Sequence, residues 1–274
     1  MTEANFGQVA APLSMWERIT NIGAVRSGAI LAFFALCWEI FSRLAGNPLL
    51  FPPFSEVIYA LWNQIFYGPI IARTISTLEV LLIGYSIGVV LAALFSALAV
   101  STRFGSDLLA TLTAMFNPLP AIALLPLALL WFGLGITSLV VVIVHSVTWA
   151  VALNTYSGFS SVVASQRMVG QNCGLRGLRY VGFILIPAAF PSILAGLKIG
   201  WAFGWRTLIA AELVFGVTSR SGGLGWYIFE NRTFLQTANV FAGLLLVIII
   251  GLFVESVLFR FIEARTVRRW AMQS

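Results

Sequence analysis

Three charged residues lie inside one long apolar stretch, residues 184–216, and they are the side chains best placed to do chemistry. Lys198 is the only lysine of the chain, and Arg206 and Glu212 follow it. A charge at the centre of a membrane-spanning helix costs at least about 2.5–3.5 kcal/mol unless it meets a partner or water. These residues therefore predict a polar partner or a water-filled space inside an apolar protein.

The helical phase separates the roles of these three residues. At 100° per residue, Lys198 and Arg206 lie about 80° apart around the helix. Arg206 and Glu212 lie about 120° apart, so they are not expected to form an ion pair along one helix. Arg206 is thus a candidate cavity residue for an anionic solute. The alternative is a structural ion pair with Glu79 or Glu212, from the same chain or from a second copy.

Other residues are candidates for the lining of a pathway. For His145, in an apolar stretch beside Ser146, a hydrogen-bonded core histidine is the ordinary interpretation, and a solute ligand or proton relay is the alternative. Pro118 and Pro120 predict either a pore-lining break or a mere kink. The candidate pathway residues are Pro118, Pro120, Trp131, His145, Arg206 and Glu212.

The composition places these residues in a membrane protein. The chain is 59% hydrophobic and 9% charged, with a mean hydropathy of +0.95, which no soluble domain of 274 residues tolerates on its surface. The basic residues are spread singly between apolar runs, so the net charge of +6 indicates topology rather than nucleic-acid binding. One histidine and two cysteines in different surroundings predict neither a metal site nor a disulfide.

Six stretches are long and apolar enough to cross a hydrocarbon core, which takes about 20 residues of helix. The third contains Pro118, Pro120 and Pro126, so we expect it to be two pieces. Residues 15–25 predict a short interfacial helix, and residues 47–72 predict a segment that lies along the membrane surface. The fold class is therefore an all-α membrane protein with six transmembrane helices, at 27–46, 74–100, 108–132, 136–158, 184–216 and 238–261.

The arginines predict the orientation of these helices. If the N-terminus is cytoplasmic, ten arginines lie inside and four outside, which favours both termini in the cytoplasm. Outside, residues 219–225 predict a flexible turn before a short gate helix, and Glu39 and Arg43 predict a local i, i+4 pair. The inner set is Arg18, Arg26, Arg103, Arg167, Arg176, Arg179, Arg260, Arg265, Arg268 and Arg269, and the outer set is Arg43, Arg73, Arg220 and Arg232.

The loop from Val162 to Pro191 is the longest polar interruption between two apolar segments. It carries Arg167, Arg176 and Arg179 and no acid. The composition alone leaves two interpretations open, a docking site for a partner or an ordinary basic loop on the cytoplasmic side. The chain contains no phosphate-binding G-x-x-x-x-G-K-[ST] motif, so ATP, if it drives this protein, is bound by another chain.

Several stretches, in order along the chain, resemble the permease subunits of ABC importers for nitrate, sulfonates, taurine and related small solutes. The resembling stretches are Leu50-Phe51-Pro52-Pro53 with Glu56-Val57, then Leu81 to Gly88, Pro118 to Gly135, Leu153-Asn154-Thr155-Tyr156, the loop after Val162, Ala210-Ala211-Glu212 and Gly223-Leu224-Gly225. The resemblance implies a type I ABC-importer permease fold in a bacterial inner membrane. It also implies a second permease subunit in a homodimer, two ATPase subunits that bind ATP and Mg²⁺, and an external solute-binding protein. This chain would then bind no cofactor itself.

The same resemblance implies that the loop is the coupling loop that docks on the ATPase. Gly174 lies thirteen residues before Pro187, which is the spacing of that loop, and we expect it to allow a tight turn after the docking helix, by a positive φ or by close backbone approach. The family's loop usually opens with Glu-Ala-Ala where this chain has Met168, Val169 and Gly170, so the acid is missing. The implied coupling residues are Arg167, Met168, Val169, Gly170, Gly174, Arg176, Arg179 and Pro187, within a coupling loop at 161–187 of a permease core at 73–262. The core follows an N-terminal segment at 1–26 and a first helix with its interfacial segment at 27–72, and a tail at 263–274 ends the chain.

The function expected from these residues is import of a small anionic solute by alternating access, without bond chemistry. The alternative is an ion- or proton-coupled secondary transporter, with His145, Glu79 and Glu212 as the relay. Against it stands the absence of a detectable second half-repeat. An intramembrane enzyme is a further alternative, and it lacks a convincing nucleophile and base.

Cys173 provides a test of the orientation, because it is the only cysteine of the loop. A membrane-impermeant thiol reagent is expected to leave Cys173 unlabelled in intact cells and to label it in inside-out vesicles. Labelling in intact cells would overturn both the orientation and the coupling-loop assignment.

Overall fold

The computed structural model describes residues 23–215 and 222–266, and the regular elements within these residues are helical. Two compact units divide between Tyr59 and Ala60. Most of the predicted interfacial helix (15–22), part of the predicted external turn (219–221) and most of the predicted tail (267–274) lie outside the described residues.

Twelve α-helices are described in these residues. A 3₁₀ turn at Ala121–Leu124 precedes the fifth helix, and π-helical turns at Val181–Leu185 and Val254–Phe259 join the eighth helix to the ninth and the eleventh to the twelfth. The helices are α1 (Gly23–Ala45), α2 (Phe54–Phe66), α3 (Ile70–Ser101), α4 (Arg103–Phe116), α5 (Leu125–Phe132), α6 (Ile136–Ser161), α7 (Ala164–Asn172), α8 (Gly177–Tyr180), α9 (Ile186–Phe215), α10 (Leu224–Thr233), α11 (Thr237–Phe253) and α12 (Arg260–Arg265).

The described helices confirm the predicted membrane-spanning class. Five helical stretches are long and apolar enough to cross a membrane, and α4 with α5 makes a sixth when this bent pair is counted as one span. The five stretches are Val25–Ala45, Ile70–Ser101, Ile136–Ser161, Val181–Val214 and Thr237–Arg265.

The third predicted span is broken, as its prolines predict. Helix α4 ends at Phe116, and the axes of the two pieces differ by 87° across the residues that include Pro118 and Pro120. Pro126 plays a different part from these two, because it lies at the second residue of α5. A proline in the first turn of a helix removes no intrahelical hydrogen bond. The break therefore comes from the first two prolines, and Pro126 helps to start the next helix.

Helix α6 is the centre of the second unit and packs against both α3 and α9. A Cβ atom added at Gly84 of α3 would lie 2.7 Å from Cγ2 of Ile143, and one added at Gly200 of α9 would lie 2.8 Å from Cγ2 of Val151. Small residues let helices approach closely where no hydrophobic effect drives them together, as in a lipid bilayer. This close approach positions the polar side chains of α6 and α9 beside each other.

The second unit has two ends at which different helices pack. At one end, which we call the loop end, a small core of Phe159, Val162, Leu185 and Ala189 lies beneath α7 and α8. At the other, the α10 end, α10 packs against α3, α9 and α11. Helices α3, α6 and α9 connect the two ends.

The first unit contains the predicted local ion pair. Arg43 Nη2 lies 2.6 Å from Glu39 Oε1, and the backbone N–H of Ser55 donates to the same carboxylate at 3.0 Å. The indole Nε1 of Trp38 donates to the carbonyl of Pro52 at 3.0 Å. These contacts confirm the predicted pair and hold the turn between α1 and α2.

Substituting Gly84 by alanine tests the importance of the close contact between α3 and α6. The new methyl group would overlap Ile143, and overpacking of this kind typically costs about 1–3 kcal/mol. We therefore expect a lower midpoint of thermal unfolding for the Gly84→Ala protein in detergent. Gly28→Ala is the matched control, because a Cβ at Gly28 meets no atom within 4 Å. Equal midpoints for the two variants would contradict the packing argument.

Candidate functional site

A cavity of about 360 Å³ lies beside the proline break, between α6 and α9. The break contributes backbone that is not part of a regular helix, and such backbone is tolerated at membrane depth only where it faces protein or a water-filled cavity. The cavity is lined by residues 116–122, by His145, Ser146 and Trp149 of α6, and by Phe203, Arg206, Thr207 and Ala210 of α9. Four of the predicted pathway residues, Pro118, Pro120, His145 and Arg206, thus meet at one cavity.

Arg206 is the cationic side chain in the lining of this cavity. Its Nε donates to the carbonyl of Ala202 at 3.0 Å, and its Cζ lies 5.2 Å from the centre of the Phe203 ring. The ion pairs among the described residues do not include Arg206. The pairing with Glu79 or Glu212 of the same chain, which was the alternative from the sequence, is therefore not formed within the described residues.

His145 faces the same cavity among aromatic rings. The imidazole lies 5.9 Å from the ring of Phe116 and 6.3 Å from that of Trp149, both in edge-to-face geometry. Both ring nitrogens are buried, and neither has a hydrogen-bond partner among the described residues. The described residues therefore supply none of the hydrogen bonds that the interpretation as a hydrogen-bonded core histidine requires. The imidazole is a hydrogen-bonding group beside the cavity whose capacity is not used within the described part of the chain.

A second cavity, of about 410 Å³, lies on the other side of Arg206, between α9 and the α11 region. It is also bordered by Lys198, as the helical phase predicts, and by Glu255. Lys198 Nζ lies 2.7 Å from Glu263 Oε2, so the lysine charge is compensated by an acid of α12. Of the two basic residues inside α9, Lys198 is thus paired with an acid and Arg206 borders open space.

Glu212 is buried and hydrogen-bonded at the start of α10, a role that the sequence did not indicate. The side chain is 3% exposed and lies away from the lining of the Arg206 cavity. Its carboxylate accepts hydrogen bonds from the hydroxyl of Thr77 at 3.0 Å and from the backbone N–H of Gly225 at 2.8 Å. The hydroxyl of Thr77 in turn accepts from the N–H of Leu224 at 2.7 Å. Glu212 and Thr77 therefore satisfy backbone donors in the first turn of α10, where a negative charge is also favoured by the helix dipole.

The space beside this carboxylate requires glycine at the two positions that flank Leu224. A Cβ at Gly223 would lie 2.0 Å from Oε1 of Glu212, and a Cβ at Gly225 would lie 2.7 Å from the carbonyl oxygen of Ile209. Only residues without a side chain let the start of α10 approach α9 this closely. We call Glu212, Thr77, Gly223 and Gly225 the α10 anchor. A second contact, 3.2 Å between Arg73 Nη2 and Glu230 Oε2, also links α3 to α10.

The two remaining predicted pathway residues, Glu212 and Trp131, lie outside the Arg206 cavity. Glu212 belongs to the α10 anchor, because its position about 120° from Arg206 around α9 turns it toward α3 and α10. Trp131 lies on α5, 68% exposed, and outside the lining of the cavity. The sequence reasoning missed Thr77, Phe203 and Thr207. Thr207 directly follows Arg206, and this position was the signal that could have identified it.

The loop end carries the predicted coupling residues, and the structure divides them between two faces. Arg167 turns inward, since its guanidinium donates to the carbonyls of Phe159 at 2.6 Å and Val162 at 3.0 Å at the end of α6. Gly170 is buried, and a Cβ there would meet Ile184 at 2.8 Å and Tyr180 at 3.0 Å. These two residues hold α7 against the body of the protein.

The outward face of the loop carries Met168 and Val169, which are 55% and 59% exposed. Gly174 lies two residues after the end of α7 and has a φ of +74°, and the N–H of Leu175 donates to the carbonyl of Gly170 at 3.0 Å. The expected tight turn at Gly174 is thus confirmed, and it depends on the left-handed backbone that glycine adopts at no steric cost. Arg176 and Arg179 follow this turn and are exposed. Pro187 lies at the second residue of α9, directly after the π-helical turn.

The α10 anchor generates a prediction for Glu212→Gln. The amide offers one acceptor oxygen where the carboxylate offers two and brings an N–H₂ group toward existing donors, so buried donors lose partners at a cost of about 1–3 kcal/mol. We expect faster hydrogen–deuterium exchange across residues 224–233 and unchanged exchange in the middle of α6. Glu56→Gln is the matched control, since Glu56 is exposed. Unchanged exchange in α10 would show that the anchor does not hold it.

Comparisons with known proteins identify the family to which this chain belongs. The family described as binding-protein-dependent transport system inner membrane component matches residues 84–269. The taurine transport system permease protein TauC of Escherichia coli is 28% identical over 240 residues, which are 83% of this chain and 83% of that protein. The putative aliphatic sulfonates transport permease protein SsuC of Escherichia coli is 27% identical over 78% of this chain and 80% of its own length, and the nitrate import permease protein NrtB of Synechocystis is 26% identical over 84% and 85%. This chain is therefore a member of the family of inner membrane components of binding-protein-dependent transport systems, a transport permease and not an enzyme.

Proposed function

We propose that this chain imports a small anion, and that the anion passes Arg206 in the cavity beside the proline break. The observation that carries the proposal is the position of Arg206, which borders two cavities and is unpaired with any acid of the described residues. Arg206 lies twenty residues after the first residue of α9, roughly 30 Å along the helix axis and about nine residues before its end. A cation at such a depth must meet water, an acid or a solute.

The neighbours of Arg206 suit a weakly bound anion. Thr207 brings a hydroxyl group to the same cavity. The cavity is also lined by Ser146, whose hydroxyl donates to the carbonyl of Ile143 at 2.9 Å, and by the ring of His145. Hydrogen bonds from charged donors are about twice as strong as those from neutral donors, so one arginine among neutral donors attracts an anion without a cage of charges. A transport site has to release its solute, and a single cation is compatible with release. Sulfonates and nitrate, which the relatives' names mention, are anions, and taurine carries a sulfonate group.

The energy for transport is proposed to enter through the loop end. Met168 and Val169 would contact a separate ATPase subunit, which binds ATP and Mg²⁺, while Arg167 and Gly170 keep α7 fixed on the body of the permease. Closure of two ATPase subunits would then move α7 and, through the core around Phe159, the helices that border the Arg206 cavity. Alternating access in this form requires a rigid contact between α7 and the membrane-spanning helices. The hydrogen bonds from Arg167 to the carbonyls at the end of α6 supply one.

The arrangement of subunits and the orientation follow from the same reasoning. We propose a homodimer of permeases, in which the permease core spans residues 73–262 and an external solute-binding protein delivers the anion. The excess of arginine at the loop end and at both termini favours a cytoplasmic location for these parts. Exposed charges inside the spans, such as Glu79 on α3, also favour a second copy or water rather than lipid against that face. The secondary-transporter alternative is not favoured, because Glu212, one member of its relay, is held by the α10 anchor.

Arg206→Gln tests the anion pathway. The amide keeps much of the length and hydrogen-bonding capacity of the side chain and removes its charge. A charge-assisted hydrogen bond contributes about 1.5–3 kcal/mol, so we expect anion uptake in reconstituted vesicles to fall on the order of tenfold or more. Assembly with the ATPase and basal ATP hydrolysis are expected to be unchanged.

The matched control for this experiment is Arg103→Gln, which removes the charge of an exposed arginine at the start of α4. Uptake by this control is expected to equal that of the natural protein. Loss of assembly or of thermal stability by Arg206→Gln, without a selective defect in uptake, would assign Arg206 to an ion pair with a second copy. That outcome would remove the structural argument for an anionic solute.

A further inference from the structure

Helix α7 presents an uncharged outer face although it lies in a strongly basic loop. Residues 162–180 contain three arginines and no acid. The only charged residue of α7 itself is Arg167, and its guanidinium is bonded to the carbonyls of Phe159 and Val162 at the end of α6. The carbonyl of Phe159 lies in the last turn of α6 and that of Val162 directly follows the helix, a position where a cation is favoured. The charge of α7 is therefore used inside the permease and is not offered to a partner.

The residues that α7 does present outward are apolar or neutral. Val163, Met168 and Val169 are 56%, 55% and 59% exposed. Around the helix axis, Met168 lies about 160° and Val169 about 100° from Gly170, which is buried against Tyr180 and Ile184. Ser165 and Asn172 fall on the same outer side as these two apolar residues and are also exposed. Outside the membrane, a cluster of exposed apolar side chains in a polar rim indicates a surface covered by another protein.

The positive charge of the loop is concentrated after α7. The backbone turns at Gly174 and Gly177, which have φ values of +74° and +57°, and the exposed Arg176 and Arg179 follow these turns. Arg176 also borders a surface cleft of about 400 Å³ with Gln171 and Tyr180. The loop thus has two regions of different chemistry, a neutral knob formed by Met168 and Val169 and a basic rim formed by Arg176 and Arg179.

We propose that the groove of the ATPase that receives α7 is apolar and uncharged where it meets the neutral knob, and carries carboxylates along the edge that meets the basic rim. This inference rests on the proposed function, because it takes the partner to be the ATPase subunit. The cores of protein interfaces are depleted of charged residues, and their rims are polar. Complementary charges at a rim steer association and fix the register of the two surfaces. The neutral knob therefore supplies apolar contact, and the basic rim steers and orients the ATPase as it binds.

The knob is compatible with an apolar groove for a further physical reason. A methionine side chain is flexible and polarisable, so it fills irregular apolar surfaces. A carboxylate at the same position would be buried without a cation if the groove is uncharged, and an unpaired buried charge is strongly unfavourable. The charge of residue 168 thus distinguishes an apolar groove from one that contains a basic side chain.

The test compares Met168→Glu with Met168→Leu and Gln166→Glu. Each permease variant is purified in nanodiscs, and its affinity is measured for the ATPase that co-purifies with the natural chain and is then produced separately. Met168→Glu is expected to weaken binding at least tenfold, and Met168→Leu to change it less than threefold. Gln166→Glu adds the same charge to an exposed position of α7 that lies about 160° around the helix from Met168, outside the knob, and it is expected to have little effect.

The basic rim is tested by the double variant Arg176→Gln, Arg179→Gln. Binding of the natural permease is expected to weaken as salt rises, and the double variant is expected to bind more weakly at low salt and to depend less on salt. An unchanged salt dependence would overturn the acidic edge. This measurement does not depend on the Met168 variants, so it remains decisive if one of them fails to fold.

Three outcomes separate the two levels of the proposal. If Met168→Glu binds as tightly as the natural chain or more tightly, the groove offers a cation to residue 168 and the apolar groove is wrong. If Gln166→Glu weakens binding as much as Met168→Glu, the effect is a general repulsion of negative charge and the knob is not its cause. If the natural chain binds no ATPase, the proposed function itself is wrong.

Discussion

The close approach of α6 to α3 and α9 is the constraint on which the rest of the structure depends. Gly84 and Gly200 lie where the neighbouring helix would otherwise meet a side chain, at Ile143 and Val151. In a lipid environment, helices gain little from hiding apolar surface from one another, so their association relies on packing of this kind. Once the three helices are in contact, the side chains between them are positioned. His145 and Ser146 of α6 then meet Arg206 and Thr207 of α9 at the cavity beside the proline break.

This packing leaves a few polar groups inside an apolar protein, and each is accommodated in its own way. Lys198 is neutralised by Glu263, which comes from the last described helix. Glu212 is surrounded by hydrogen-bond donors of Thr77 and Gly225, so its oxygens serve the start of α10. Arg206 borders two cavities and forms no ion pair with an acidic side chain of the described residues. A charge away from water is unfavourable in all three cases. Lys198 and Glu212 meet this requirement through structural contacts, and Arg206 is left as the candidate for contact with a solute.

At the loop end, some residues of α7 bind the body of the permease and others face outward, where a partner could contact them. Arg167 and Gly170 face the body of the permease, whereas Met168 and Val169 face outward although they are neighbours in sequence. A short helix makes this possible, because successive side chains point in directions about 100° apart. A partner that pushes on the outer face acts on a helix whose inner face is bonded to the end of α6. Forces at the loop end can therefore be transmitted to the helices that form the cavity.

The sequence by itself determined the membrane class, the five unbroken apolar spans, the break at Pro118 and Pro120, the glycine turn at Gly174 and the local pair of Glu39 with Arg43. These features depend on composition, on spacing along one helix or on the backbone of a single residue, which are all local properties. Helical phase also separated Arg206 from Glu212 correctly. It did not indicate that Glu212 anchors α10, because Thr77 is 135 residues away in the chain.

Only the tertiary structure decided which charges are satisfied by partners. Arg167 was expected to contact the ATPase, and its bonds to the carbonyls at the end of α6 became visible only when the chain folded back on itself. Likewise, His145 was expected to be hydrogen-bonded, and the packing of Phe116 and Trp149 leaves its nitrogens without a partner in the described residues. The physical reason is that hydrogen bonds and ion pairs act over about 3 Å, and which groups come that close depends on helix packing rather than on their distance in sequence.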